Sequence, residues 1–182
     1  MPLNIGFSVA LLQGLLRLFI LPLLATISVL FASVVFAGDL SEFDELQGAN
    51  NLGLIQQQGD WLDADVEQLG ISNHAKVAQF GVDIQLEVRQ LGENNKIISL
   101  QTGAAIEASL LQQGFNNFIV SSQTGSLLSL EVEQQGVDNK AYIFQTGYEN
   151  TVSIYQNGSG HGVVVGQWGA LQNTRVTQGY TE

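Results

Sequence analysis

The chain has 182 residues, of which 45% are hydrophobic, and its 17 acidic and 6 basic side chains give a formal net charge of −11. An acidic chain without a Lys/Arg cluster is unsuited to binding nucleic acid or anionic lipid surfaces. The sequence contains no cysteine, which excludes disulfides and thiolate metal sites. Neither of the two prolines lies beyond Pro22, so the rest of the chain holds no residue that would interrupt a β-ladder.

The first 37 residues have the features of a secretory signal peptide. Arg17 precedes an almost wholly apolar run over residues 19–36, and small residues at Val35 and Ala37 fit a signal-peptidase site with cleavage after Ala37. An uncleaved membrane anchor is the alternative. We therefore expect a signal peptide at 1–37, an N-terminal lead segment at 38–45 and a repeat domain at 46–182.

Glycine and glutamine each return every eleven residues after the lead segment, without an insertion or deletion. Glycine with its neighbours is typical of turns, where a positive φ is often needed. The predicted turn glycines are Gly48, Gly59, Gly70, Gly81, Gly92, Gly103, Gly114, Gly125, Gly136, Gly147, Gly158 and Gly169. The glutamine series is Gln57, Gln68, Gln79, Gln90, Gln101, Gln112, Gln123, Gln134, Gln145, Gln156, Gln167 and Gln178.

A second period doubles the first. Asparagine stands five residues after alternate places in the glutamine register, at Asn51, Asn73, Asn95, Asn117 and Asn139, and His161 takes the next place. The intervening half-repeats are apolar there, at Leu62, Ile84, Ile106 and Leu128. The repeating unit is therefore 22 residues with two unlike halves, and six units run from about residue 46 to the end.

The stretches between glycines predict strands. Apolar residues alternate, as at Ala75 and Val77 or Leu86 and Val88, which is a period of two. A right-handed helical coiled coil also has an eleven-residue period, but each recurring glycine would cost a helix about 1 kcal/mol. The sequence predicts an all-β, amyloid-forming cross-β solenoid of about six 22-residue strand–turn–strand rungs.

The recurring amides are predicted to face inward. Asn73, Ala75, Val77 and Gln79 share one parity, so each strand has an apolar middle bounded by amides. Residues 22 apart then lie above one another, and identical amides can donate and accept along a column. The Gln and Asn series are therefore predicted to form amide ladders of the kind that stabilise cross-β structures.

The two outward faces differ in the sequence. The half-repeats without asparagine place acidic residues outward, and one column reads Glu67, Arg89, Leu111, Glu133. The other half-repeats predict an apolar contact face of Ile98, Leu100, Phe118, Val120, Tyr142, Phe144 and Val164. A sheet that is apolar on both sides requires a second apolar surface to cover its outer side, in addition to the core on its inner side. The alternative is a local register slip, because Ser99 and Ser121 occupy inward places.

No catalytic constellation is present, so we expect neither an enzyme nor a small-molecule substrate. His74 and His161 fall at unlike places in the repeat, and no Ser/His/Asp set has a supporting spacing. Asp60, Asp63 and Asp65 lack the glycine–aspartate nonapeptide of calcium β-helices. The sequence therefore predicts no cofactor and no metal.

The repeats resemble the curlin repeat of bacterial curli subunits. Segments 68–79, 90–101, 112–123 and 134–145 follow the pattern Q-x-G-x-x-N with a second Gln eleven residues after the first. The resemblance implies a secreted subunit of extracellular functional amyloid at the bacterial cell surface, serving biofilm matrix, adhesion and surface colonisation. It also implies self-assembly, other curli-type subunits as partners, and outer-membrane export and assembly factors.

The end of the chain is less regular, with His161 in place of Asn and a basic residue at Arg175. In this it resembles the minor, nucleating subunit of the family more than the major one. A soluble, monomeric β-solenoid that binds surfaces or acts as an adhesin module is the alternative function. Such a monomer requires capped ends, whereas the sequence ends in TQGYTE without a charged plug, and open strand edges favour a polymer.

Overall fold

A computed structural model describes residues 50–179, and these form a single parallel β-solenoid. No helix occurs in this range, and so none that is long and apolar enough to cross a membrane. The predicted signal peptide, the lead segment and Gly48 lie outside the described residues. The predicted all-β solenoid is confirmed.

Eight strands build six rungs. Rungs 1 to 4 are each one bent strand of 20 residues, and rungs 5 and 6 are each divided into two strands. The strands are β1 (Leu52–Ile71), β2 (His74–Glu93), β3 (Lys96–Phe115), β4 (Phe118–Val137), β5 (Lys140–Tyr148), β6 (Thr151–Ser159), β7 (Gly162–Ala170) and β8 (Asn173–Gly179).

The register between successive rungs is a constant 22 residues. Gln79 pairs with Gln101 and Gly81 with Gly103, and all the pairings are parallel. Strand β4 pairs with both β5 and β6, which shows that these two strands together make rung 5. Because a shift of 22 residues reproduces the sequence pattern, each column along the solenoid holds equivalent positions.

Each rung has two arms that enclose the core. The first arm runs from the Asn-column residue to the first glycine, as over 73–81, and the second arm from 84 to the second glycine at 92. Their inward side chains form one aliphatic cluster, which includes Val77, Val88 and Ile119, all of them fully buried. A smaller cluster of Ile84, Ile106 and Leu128, with Leu62 packed against it, fills the end of the core at the first bend. The predicted inward parity of both arms is therefore confirmed.

Two residues with positive φ make each bend. The first is the predicted turn glycine, as at Gly103 with φ 140° and Gly114 with φ 120°. The second lies two residues later and is often not glycine, as at Asp83 (φ 57°) and Leu127 (φ 54°). The sequence pattern predicted the first of these positions but not the second, because the left-handed residue type varies from rung to rung.

Contact between rungs explains why the first bend position is always glycine. A Cβ added to Gly103 would lie 1.8 Å from the carbonyl oxygen of Gly125, and one added to Gly81 would lie 1.8 Å from that of Gly103. The obstacle is backbone of the next rung, which cannot move aside without breaking the ladder. Glycine therefore allows the rungs to approach to strand-pairing distance at the bends.

We expect Gly103→Ala to destabilise the folded solenoid severely, because the methyl group overlaps the backbone of the next rung. The strained φ alone costs roughly 1–3 kcal/mol, and the overlap adds to it. The matched control is Gly160→Ala: Gly160 also has a positive φ (70°), but a Cβ there meets nothing within 4 Å. The control should cost only about 1–2 kcal/mol. Guanidinium unfolding midpoints measure the difference, and equal midpoints for the two variants would contradict the role of rung contact.

Candidate functional site

Two glutamine ladders run the full length of the described solenoid. In each, the Nε2 of one Gln donates to the Oε1 of the Gln 22 residues later, at 2.7–3.1 Å. The first column joins Gln57 to Gln167 and the second joins Gln68 to Gln178. All twelve glutamines of the two predicted ladders lie in these columns.

The glutamines also tie the chain across the core. Gln90 Nε2 donates to the carbonyl oxygen of His74 at 3.2 Å, and Gln112 does the same to Lys96. The acceptor lies 16 residues earlier, at the start of the first arm of the same rung. Both amide protons are thus used, which matters because an unpaired buried amide would cost roughly 1–3 kcal/mol.

The asparagine ladder has the opposite direction. Asn95 Nδ2 donates to Asn73 Oδ1 at 3.1 Å, toward the lower residue number, and the backbone N–H of Asn95 donates to the same oxygen. Asn95 Nδ2 also donates to the carbonyl of Gly114 at 3.0 Å, which ties the second bend to the start of the rung. Asn51, Asn73, Asn117 and Asn139 make the equivalent bond to their own bend glycine.

Asn150 is a buried amide that the sequence analysis did not assign to a ladder. It stands in the column of Leu62, Ile84, Ile106 and Leu128, donates to the carbonyl of Gly169 at 3.1 Å, and accepts from the backbone N–H of Gln172 at 3.0 Å. The sequence feature that could have identified it is its position five residues after Gln145, which is the spacing that defines the Asn series. The aliphatic column thus changes to amides in the last two rungs.

The asparagine ladder ends at His161. The backbone N–H of His161 donates to Asn139 Oδ1 at 3.1 Å, so the column continues through the main chain. Its ring Nε2 lies 3.1 Å from the carbonyl oxygen of Asn157 instead of offering an amide to a further rung. The presence of His instead of Asn at position 161 therefore ends the side-chain ladder in rung 6.

The outward face of the first arms holds the residues of the predicted apolar contact face, but not all of them are accessible. Val120 is fully buried among its neighbours, so it stabilises this face and offers no contact surface. Phe118 and Tyr142 meet edge to face, with ring centroids 5.8 Å apart, and burial raises the pKa of the Tyr142 phenol. Ser99 and Ser121 are buried inward and joined by a 2.9 Å bond, so no register slip occurs.

Three lysines share the first-arm face, and the sequence analysis missed them. Lys76 lies in the column of Ile98, Val120 and Tyr142, while Lys96 and Lys140 lie in the column of Phe118. The parity that predicted the apolar positions also placed these lysines outward. The face is therefore apolar and basic at once.

The outward face of the second arms is acidic. Arg89 Nε lies 3.4 Å from a carboxylate oxygen of Glu67 and 3.0 Å from one of Glu87. A groove of about 460 Å³ opens on this face, with Glu87, Glu107 and Glu131 along it. Within residues 50–179, no cluster of three His, Asp or Glu side chains is arranged to hold a metal ion.

A family model described as the curlin associated repeat matches residues 48–81 and 128–154. The matched ranges contain segments 68–79 and 134–145, which carry the sequence resemblance, whereas 90–101 and 112–123 lie outside them. No curated protein matches the chain. Residues 50–81 and 128–154, the described part of these matches, share the 22-residue register of the rungs between them.

We expect Gln112→Glu to make folding and assembly depend on pH. An ionised carboxylate here would face two acceptors, the Lys96 carbonyl and Gln134 Oε1, and burial would raise the pKa of the introduced acid. The variant should therefore assemble below the usual glutamate pKa of about 4.3 and lose stability as pH rises through the higher folded-state pKa.

Thioflavin fluorescence between acidic and neutral pH measures this dependence. Gln113→Glu is the matched control, because Gln113 is adjacent but exposed. If both variants assemble equally well at neutral pH, the ladder does not require an uncharged amide at position 112.

Proposed function

Because this chain belongs to the curlin family by its two matched repeat segments, we propose that it is a structural, non-enzymatic subunit that polymerises head to tail into extracellular curli-type fibres. Successive copies would stack rung 6 of one chain against rung 1 of the next. The solenoid axis then becomes the fibre axis, with strands perpendicular to it and about 4.8 Å apart.

The open strand edges carry this proposal. Among the described residues, β1 pairs only with β2 on one side, and β7 and β8 have no partner on their outer side. An exposed edge is a template for another strand. Both ends have the same two-arm plan and register, so a second copy would continue the ladder without a change of geometry.

The glutamine ladders would also continue across such a junction. Their direction leaves Gln57 and Gln68 as acceptors at the rung 1 end and Gln178 as a donor at the rung 6 end, whereas Gln167 Nε2 donates within the chain to the Thr151 carbonyl and to Thr174 Oγ1. Gln178 Nε2 donates to the Gly162 carbonyl at 3.1 Å and has a second proton for the Gln68 of a following copy. The two ends are complementary rather than alike, which favours an open polymer over a closed dimer.

Exposed apolar side chains gather at the two end rungs. Trp61 and Ile55 on rung 1 are 80% and 45% exposed, and Trp168 and Leu171 on rung 6 are 62% and 73% exposed. On rungs 2 to 5 the large exposed apolar residues all lie in bends. Ile55 faces inward like the buried Val77 above it, and is exposed because no rung covers it. Trp61 and Leu171 lie in bends, which stay exposed on covered rungs as well, but a stacked second copy would bury Ile55.

The extracellular role in biofilm matrix, adhesion and surface colonisation is part of the proposal, as is export by outer-membrane factors. Support comes from the family resemblance and from the predicted signal peptide. A nucleating role is supported by the irregular rung 6, where His161 ends the asparagine ladder. An end that differs from the interior can serve as the attachment or starting end of a fibre.

Dilution of residues 38–182 from denaturant tests the proposed polymer. We expect thioflavin-positive fibres, acceleration by preformed seeds, and a meridional diffraction reflection near 4.7 Å. Seeding of a second curli-type subunit would support nucleation. A stable monomer that is rich in β structure and unaffected by seeds would refute the polymer and support the surface-binding solenoid.

We expect opposite charges at the junction to set the rate of fibre growth. Arg175 and Asp65 belong to one column, at its two ends, so stacking brings Arg175 of one copy against Asp65 of the next. Arg175→Glu should slow seeded elongation roughly two- to fivefold, the range typical of one exposed charge pair.

The double variant Arg175→Glu with Asp65→Lys is the control, because it restores opposite charges at every junction. It should elongate at nearly the wild-type rate. If the double variant is as slow as the single one, the two residues do not meet in the fibre.

A further inference from the structure

The charges on the two outer faces are of opposite sign. The first-arm face carries Lys76, Lys96 and Lys140 and no acidic residue, whereas the second-arm face carries seven acidic residues and two arginines. Within residues 50–179 the ion pairs are those of Arg89 with Glu67 and Glu87, and no lysine pairs with a carboxylate. The lysines stay uncompensated because the core separates them from the acidic face.

The acidic face has a shape that can receive a lysine side chain. The groove of about 460 Å³ exists because small outward residues, Ser109 and Ser129, lie between the larger acidic ones. Leu86 and Leu130 also border the groove, but both are buried and belong to the core cluster. A lysine side chain can extend along such a groove until its ammonium group reaches a carboxylate.

We propose that the lysine-bearing first-arm face of one solenoid docks on the acidic second-arm groove of a parallel copy, so that neighbouring fibres bundle face to back. This inference rests on the proposed fibre. Two like faces would repel each other, because lysine would meet lysine or carboxylate would meet carboxylate. Pairing of unlike faces is therefore favoured. A docked pair of fibres still has one free lysine-bearing face and one free acidic face, so further fibres can add and the bundle grows without closing.

The spacing of charges along the axis fits this docking. Lys96 and Lys140 lie on rungs 3 and 5, two rungs or about 9.6 Å apart, and Glu87 and Glu131 lie on rungs 2 and 4 with the same separation. If the two solenoid axes are parallel, shifting one copy by one rung along the axis places Lys96 beside Glu87 and Lys140 beside Glu131. The same shift brings Lys76 on rung 2 level with Asp65 on rung 1.

Docking would also cover the apolar part of the first-arm face. Phe118, Tyr142 and Phe144 are half-buried on an isolated solenoid. A second solenoid would remove their remaining surface from water, which is favourable at about 25 cal/mol per Å². The lysine–carboxylate pairs then supply most of the attraction, and burial of the aromatic residues adds to it.

The test compares bundling with elongation in fibres of the full mature chain, residues 38–182. The triple variant Lys76→Gln, Lys96→Gln, Lys140→Gln should elongate from seeds at the wild-type rate within about twofold, because its changes lie outside the ladder and the junction. It should form single fibres where the wild type forms bundles. Electron microscopy of fibre width and sedimentation of bundles measure the difference.

The control adds the same charge elsewhere. Ala104→Glu, Tyr148→Glu and Ser159→Glu together also change the net charge by −3 but lie in bends, and this variant should bundle like the wild type. Loss of bundling in both triple variants would show that net charge governs association and overturn the docking. Lysine-free fibres that bundle normally would overturn it too.

A charge exchange between two populations tests the pairing of faces directly. Fibres with Lys76, Lys96 and Lys140 changed to Glu should not bundle alone, but should bundle with fibres in which Glu87 and Glu131, which lie away from the junction, are changed to Lys. Wild-type bundles should disperse in about 1 M salt, where the Debye length is about 3 Å, while the fibres persist. Bundles that resist salt overturn the inference alone, whereas absence of any fibre refutes the proposed function beneath it.

Discussion

The close approach of bend glycines in successive rungs is the contact on which the rest of the solenoid depends. Because the carbonyl of Gly125 occupies the place that a Cβ on Gly103 would need, only glycine can take this bend position when another rung stacks on it. The glycines recur every eleven residues, and the two halves of the unit differ, so the register is held at 22. That register places like residues in columns and so decides which side chains can form ladders.

The ladders give the solenoid a direction. Glutamine amides donate toward the C-terminal rung and asparagine amides toward the N-terminal rung, so one end presents glutamine acceptors and the other a glutamine donor, Gln178. A column of self-complementary amides has no natural end within one chain, because each added rung offers the bond that the last rung lacks. The cooperativity that stabilises the interior rungs is therefore also the reason that a second copy can add to the end.

An acidic chain can stack in this way because its charges are distributed between columns. Gln85 separates Asp63 from Glu107, and Ser109 separates Glu87 from Glu131. Asp65 and Glu87 do stack directly, but Arg89 binds Glu87 from the neighbouring column. Like charges are thus rarely adjacent along the axis. The acidic residues gather on one outer face and the lysines on the other, so the solenoid has two unlike surfaces around a core that carries no charge.

The sequence by itself determined the rung length, the bend glycines, the inward parity and the columns of Gln57 to Gln178, because these follow from local periodicity and from the space that a side chain needs. Only the tertiary structure decided which residues a face really exposes. Val120 has the outward parity of Lys76 but is covered by its neighbours, and Asn150 enters an aliphatic column as a hydrogen-bonded amide. The direction of each ladder, the left-handed residue at each bend and the groove between Glu87 and Glu131 likewise depend on contacts between residues 22 apart. Periodicity shows which residues are stacked, but the size and hydrogen-bonding geometry of their neighbours in space decide what each of them does.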